Sequence, residues 1–293
     1  EDGPPEATTE GERIAGETEE EIYELFGMSY IAPELRENRG ELEAAREGEL
    51  PDLVTREDLR GDLHVHTTAS DGAASLEEMA EKAAGLGYEY LAVSDHSDFL
   101  GVYNGLDAER LAKQGEEIDA MNEELGDLRL LKASEVDIKK DGSLALEDEA
   151  MEKLDLVVAS VHTGFDLSEE DQTERIIRAM DNPHVHLIGH PTGRRINERE
   201  PYAVDVKRLV EAAEERGVFL ELNSQPDRLD LADVHVKYAR EEGLLIPVNT
   251  DAHDTHHLDF IRFGIDQARR AWLEAGDVLN TRSWSDLKKL LKR

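Results

Sequence analysis

From residue 60 onward, short apolar runs alternate with stretches of helical period. The runs at 61–66 (GDLHVH), 89–95 (EYLAVSD), 128–134 (LRLLKAS), 155–161 (DLVVASV), 185–189 (VHLIG), 217–223 (GVFLELN) and 244–250 (LLIPVNT) read as seven β-strands. Helical patterns fill 75–86, 107–125, 169–181, 203–216, 230–242 and 263–275. Strands that alternate with helices predict an α/β fold built on a parallel sheet, and near-continuous apolar strands predict burial on both faces. Gly87, Gly126, Gly217 and Gly243 each precede a strand, where a helix end favours a left-handed residue. A distorted seven-stranded (β/α)7 barrel accounts for this pattern. An open doubly wound sheet is the alternative, but no Gly-rich phosphate fingerprint supports it.

The first fifty residues have a different texture. Residues 1–17 are acidic and rich in Gly, Pro and Thr, and are expected to be disordered. Thr18 followed by Glu21 predicts a capped short helix over 18–26, and an acidic helix is expected near 41–47. Residues 1–50 hold too few apolar side chains for a core of their own.

Composition narrows the chemistry. The chain has 293 residues, no cysteine and a formal net charge of −35. Without thiolates, any metal site must use imidazole and carboxylate, which suit Zn, Mn or Fe. No run of eighteen apolar residues and no hydrophobic leader are present, so a cytoplasmic protein that does not span a membrane is expected. The acids are spread along the whole chain, which reads as adaptation to molar salt rather than as one site for a cationic partner. Such a charge weakens a nucleic-acid reading at low salt, but at ~1 M salt the Debye length is only ~3 Å.

Nine residues able to bind metal recur at or after the strand ends: His64, His66, Asp71, His96, Glu135, His162, His190, Asp251 and His253. His64 and His66 flank one residue, so strand period places both on one face. Alone, that pair fits two half-buried structural histidines better than a metal site. Asp251 and His253 repeat the spacing after the seventh strand, and barrel closure would make the two pairs neighbours. The carboxyl ends of barrel strands are where such folds carry chemistry. Glu135, His66 and Asp251 are the expected catalytic core. Arg194, Arg195 and Arg228 are candidate phosphate ligands because a guanidinium fork matches phosphate oxygens; salt bridges to nearby acids are the bland reading. Lys139 and Lys140 are weaker candidates. Asp62 and Asp98 are read either as orienters of ligand imidazoles or as polar strand-end groups. His184, His186, His235, His256 and His257 are read as packing or surface residues, with His257 near enough to support a ligand. Aromatics make up only 5% of the chain, and Tyr103 and Phe165 are the best candidates for base contacts.

The segments HVHTTASDG, SDH, ASE, SVH, GHPTG, ELN and TDAH, in this order, resemble the PHP (polymerase and histidinol phosphatase) domain. Linking text such as YIAPELRENRGELEAAREGELPDLV and TDAHDTHHLDFIRFGIDQARRAWL is similar to the C-terminal part of bacterial and archaeal family X DNA polymerases. The resemblance runs from about residue 18 to the end. It implies a TIM-like seven-stranded barrel over 59–293 with three divalent metals, Mn or Zn with Fe as an option. It implies one metal at His64, His66, Glu135 and Asp251, a second at Glu135, His162 and His190, and a third at Asp71, His96 and His253. It further implies Mn-dependent 3′–5′ exonuclease action on DNA 3′ ends by a metal-activated hydroxide, for DNA repair. Residues 18–58 look like the tail of a polymerase thumb, so the chain is expected to be a monomeric piece of a longer polymerase from a halophile, with the polymerase core upstream. A phosphomonoesterase acting on a small ester such as histidinol phosphate, and a metal-stabilised DNA-positioning scaffold without turnover, are the competing readings.

Overall fold

The computed structural model describes residues 14–99, 101 and 103–292. Most of the segment expected to be disordered, 1–17, lies outside them. The chain divides into two compact units, Glu1–Pro51 and Asp52–Arg293.

In the first unit, helix α1 (Glu19–Leu25) starts at Thr18, whose hydroxyl accepts from the Glu21 N–H at 3.3 Å. Helix α2 (Glu41–Glu47) lies between Gly40 and Gly48, both left-handed. Both helices fall where the acidic capping pattern predicts them.

The second unit includes Val54, which is buried and whose N–H donates to the Leu273 carbonyl at 2.9 Å. Its strands are β1 (Gly61–Val65), β2 (Tyr90–Val93), β3 (Arg129–Asp137), β4 (Leu156–Ser160), β5 (Leu187–Ile188), β6 (Phe219–Leu220), β7 (Leu222–Asn223) and β8 (Val248–Asn249). Strands β1 to β6 form one parallel sheet in chain order, and β7 pairs with β8 in a second. An order without reversal removes the doubly wound alternative.

Helices α3 (Leu76–Gly85), α4 (Ala108–Glu124), α6 (Glu169–Met180), α7 (Val206–Arg216), α8 (Asp233–Glu241) and α9 (Ile261–Arg270) occupy the six helical stretches, and α5 (Asp148–Met151) and α10 (Trp284–Leu290) are additional. Ser75, Asp107, Ser168 and Asp205 cap α3, α4, α6 and α7 through their side chains. Each satisfies N–H groups that the helix leaves open. Helix α9 stops short of the expected 275 because Trp272 turns left-handed at φ 68°. Gly126 also departs from expectation: α4 ends through Leu125 in an extended conformation instead of a left-handed glycine.

The seven expected strands become eight pieces in two sheets. The sixth breaks at Glu221. Its N–H still donates to Ile188 in the first sheet, while Leu222 donates to Pro247 beside the second. The Glu221 carboxylate turns inward and is fully buried, so the strand changes partner where the polar side chain enters the core. Beyond β8, the His66 N–H donates to the Ala252 carbonyl at 2.7 Å, and Val65 and Ala252 form a parallel bridge. The ends of β1 and of the β8 segment are thereby neighbours. No helix among the described residues is long and apolar enough to cross a membrane.

Candidate metal centre

Glu135, at the end of β3, stands in the middle of five imidazoles. Its Oε1 lies 3.0 Å from His190 Nε2 and 3.3 Å from His162 Nε2. Its Oε2 lies 3.0 Å from His96 Nδ1, 3.4 Å from His64 Nε2 and 3.5 Å from His66 Nε2. Asp251 adds an oxygen 3.2 Å from His66 Nε2 and 3.6 Å from His64 Nε2. Asp71 lies 3.5 Å from His253 and 3.6 Å from His96. All nine sequence-derived ligands converge on one face.

Three sets of donors lie within 4.8 Å of one another: His66, Asp71, His96 and His253; His64, His66 and Asp251; and His96, Glu135 and His162. Donors bound at ~2.0–2.3 Å to one cation require spacings of this order. His190 falls outside these sets and instead meets Glu135 at hydrogen-bond distance.

The donors fit cations on a second ground. His64 Nε2, both nitrogens of His66, His96 Nδ1 and His190 Nδ1 are buried with no hydrogen-bond partner. Buried polar atoms are normally paired, and leaving one open costs ~1–3 kcal/mol. Four of them, on His64, His66 and His96, belong to the donor sets and describe a cluster shaped for positive charge, whereas His190 faces Glu135 with Nε2. The charge balance agrees. Burial alone would raise Glu135, yet His162, His96 and His64 hold it well below the usual carboxylate range. Asp251 is likewise held well below its ordinary value against burial, chiefly by His64 and His66. Burial opposes protonation of His64, but Glu221, Asp251 and Glu135 push it well above its ordinary value. Burial also opposes His162, and Glu135 and Asp137 still raise it to about 10.

Backbone and buried carboxylates fix the ligands. His64 and His66 project inward from β1 on the period-two face and are fully buried. His190 and Asp251 hold left-handed backbones at φ 29° and 51°, uncommon for residues with a Cβ and concentrated at functional sites. Glu221 bonds His64 Nδ1 at 2.8 Å and the His190 N–H at 2.7 Å. Asp137 meets His162 Nδ1 at 3.1 Å. Asp95 accepts from Thr67, Ser70 and Gln114 and so braces the loop that carries Asp71. Asp62 accepts from the Thr250 hydroxyl at 2.6 Å and the His64 N–H at 3.1 Å, and burial pushes it up to about 7. Asp230 accepts from Thr192.

Glu221, Asp137, Asp95 and Asp230 escaped the sequence reading. Asp137 stands two residues after Glu135 on a strand, a same-face signal that could have revealed it. Asp62 braces backbone rather than an imidazole, and Asp98 is exposed with no such role.

A cavity of about 310 Å³ opens over the donors, walled by Tyr103, Arg195, Gln225, Arg228 and His257. Arg228 lies 3.5 Å from Asp251, and Tyr103 stacks on His96 at 4.4 Å between centroids. Arg195 is tied to Asp227. His257 accepts from the His253 N–H at 3.3 Å, so it supports a ligand. Two expectations fail on geometry. Arg194 does not line the cavity; its guanidinium donates to the carbonyls of Arg228 and Leu229 and anchors that loop. Phe165 is packed between Arg199 and Tyr202 and is not free to meet a base. Lys139 and Lys140 also lie outside the cavity wall.

The sequence of the PHP domain matches residues 62–225 of this chain. The chain belongs to the PHP domain family. The DNA polymerase beta thumb matches residues 6–37. DNA polymerase/3′-5′ exonuclease PolX of Bacillus subtilis is 43% identical over 98% of the chain, which spans 50% of that protein's length. A probable phosphatase of Thermoanaerobacter sp. is 31% identical over 75% of the chain and 89% of its own length. Histidinol phosphate phosphatase from Lactococcus lactis, complexed with zinc, L-histidinol and phosphate, shares the fold of the PHP domain at a TM-score of 0.51 and 17% identity, covering 71% of this chain and 93% of its own.

Proposed function

We propose that this PHP domain is a metal-dependent phosphoesterase that hydrolyses phosphodiester bonds at DNA 3′ ends, within a family X DNA polymerase. One observation carries the reading: four buried imidazole nitrogens, on His64, His66 and His96, stand open beside the carboxylates of Glu135, Asp251 and Asp71, beneath a cavity walled by two arginines. The likeness to a polymerase/exonuclease over nearly the whole chain favours DNA as the substrate. We read the contact between β1 and the segment after β8 as the closure of a distorted seven-stranded barrel over 59–293, with 18–58 as a thumb remnant.

Three Mn or Zn ions are proposed, held by His64, His66, Glu135 and Asp251; by Glu135, His162 and His190; and by Asp71, His96 and His253. Bound there, divalent cations supply Lewis acidity toward phosphoryl oxygen and lower the pKa of water. The chain does the rest. Arg228 and Arg195 face the cavity and offer forks to non-bridging phosphate oxygens as charge grows on them. Glu221 and Asp137 fix the tautomers of His64 and His162, so that each turns its Nε2 to the centre. Gln225 donates to the carbonyls of Thr250 and Asp251 and keeps the Asp251 carboxylate directed inward.

The test is release of mononucleotides from a 3′-labelled single strand with Mn2+, at low and at molar salt. Loss of release in His66→Ala supports the reading; equal release by that variant defeats the site assignment. A second reading, a phosphomonoesterase on a small ester, draws on the modest cavity and on the fold shared with a histidinol phosphate phosphatase. Faster turnover of histidinol phosphate than of DNA would favour it.

A further inference from the structure

The loop after β5 carries an arginine that the metal centre leaves unused. Residues 195 and 199 form an antiparallel bridge, with N–H to carbonyl bonds of 2.8 Å in both directions. Residues so paired project to the same face. Arg195 lines the metal cavity, so Arg199 is set beside it.

Arg199 is held on two sides. Its Nε and Nη2 donate to the Gly193 carbonyl at 3.0 and 2.7 Å, and its guanidinium carbon lies 4.1 Å from the centroid of Phe165. Phe165 is backed by the near-parallel ring of Tyr202, whose hydroxyl donates to Pro191 at 2.6 Å. The cradle is closed at Gly193, left-handed at φ 60°, where a Cβ would lie 2.5 Å from the Tyr202 ring. Nη1 has no partner among the described residues, and none of their carboxylates pairs with Arg199. Burial, then repulsion from Arg228 and Arg195, lowers its pKa from the ordinary value. A preordered guanidinium with one open edge, flanked by cations, calls for an anion.

We propose that Arg199, seated on Phe165, is a second anion subsite beside the metal cavity, which holds the phosphate next to the one being hydrolysed and so selects polynucleotides over single-phosphate esters. This rests on the phosphoesterase reading above.

The experiment compares octathymidylate with thymidine 5′-(p-nitrophenyl phosphate), using the full chain loaded with Mn2+. For Arg199→Gln, the ratio of kcat/KM on the octamer to kcat/KM on the single diester falls about tenfold, with the change in KM for the octamer. Binding of a phosphorothioate octamer loses about 0.7 from its log–log salt slope, the share of one phosphate contact on a single strand. Arg199→Lys keeps the charge but not the fork, and lowers the ratio about threefold; it carries the test should the Gln variant fail to fold. An unchanged ratio in both variants overturns the inference. Wild-type protein that turns over neither ester defeats the phosphoesterase reading, and this inference with it.

Discussion

The donors of the metal centre fall into two groups that are built differently. His64, His66, Glu135 and Asp251 are between 0% and 4% exposed, whereas Asp71 and His253 are 26% and 31% exposed. The inner group is braced by buried side chains: Glu221 on His64, and Asn223 on Asp251 at 3.0 Å. The outer pair relies on weaker support. His253 Nδ1 faces the Asp251 carbonyl at 2.9 Å and the Asp251 carboxylate at 3.6 Å, and Asp71 takes a long 3.4 Å bond from Ser70. Ligand affinity depends on such supporting bonds. The difference teaches that one cluster of donors can have two kinds of seat: an inner one sealed by the fold and an outer one open to solvent.

The comparison is broken most directly at its centre. Glu135→Ala removes the carboxylate shared by five imidazoles; turnover is expected to fall at least ~10³-fold, with loss of more than one bound cation by elemental analysis. Retention of full metal content would contradict the central role of Glu135. Graded chelation of the loaded protein sharpens the contrast: one cation leaves early and the others late, read by metal content in the recovered protein. Simultaneous release would erase the distinction. Asp71→Ala should delete only the early cation, lower turnover ~10²-fold and leave the melting temperature nearly unchanged. Glu221→Gln keeps the shape but removes the charge beside His64; a ~10–100-fold loss in affinity for the late cations is expected, measured by competition with a chromophoric chelator. The smallest effect is on Asp62→Asn, which meets His64 only through its backbone N–H: a loss of ~1–3 kcal/mol in stability by denaturant titration, with metal stoichiometry intact.

The convergence of the candidate donors was legible in the sequence because all but Asp71 stand at or just past the end of an apolar run, and the two pairs with period-two spacing marked an inward face. The helices were legible from their helical period between the apolar runs, and the first from the cap at Thr18. What was not legible depends on contacts between distant segments. Phe165 looks like a free loop aromatic until Tyr202 and Arg199 are brought against it. Arg194 and Arg195 are neighbours in sequence, yet one anchors the loop of Arg228 and the other faces the cavity; nothing local separates them. Glu221 sits in an apolar run and reads as an outward polar residue, whereas the meeting of His64, His190, Asn223 and Asn249 around it turns it inward. The shortness of β5 to β8 follows from the same buried polar ladder, which replaces strand pairing with side-chain bonds.

The break at Glu221 has a bearing on how this chain tolerates changes of length. Pairing on one side of the break is set by β5 and on the other by β8, so the segment 219–223 is pinned from both directions. A slip by one position would send the carboxylate to the opposite face and strip His64 of its partner. Insertions of one residue should therefore be absorbed by the exposed turns around Asp141 or Asp98, while the same insertion between Phe219 and Asn223 would be ruinous, although no residue there touches substrate.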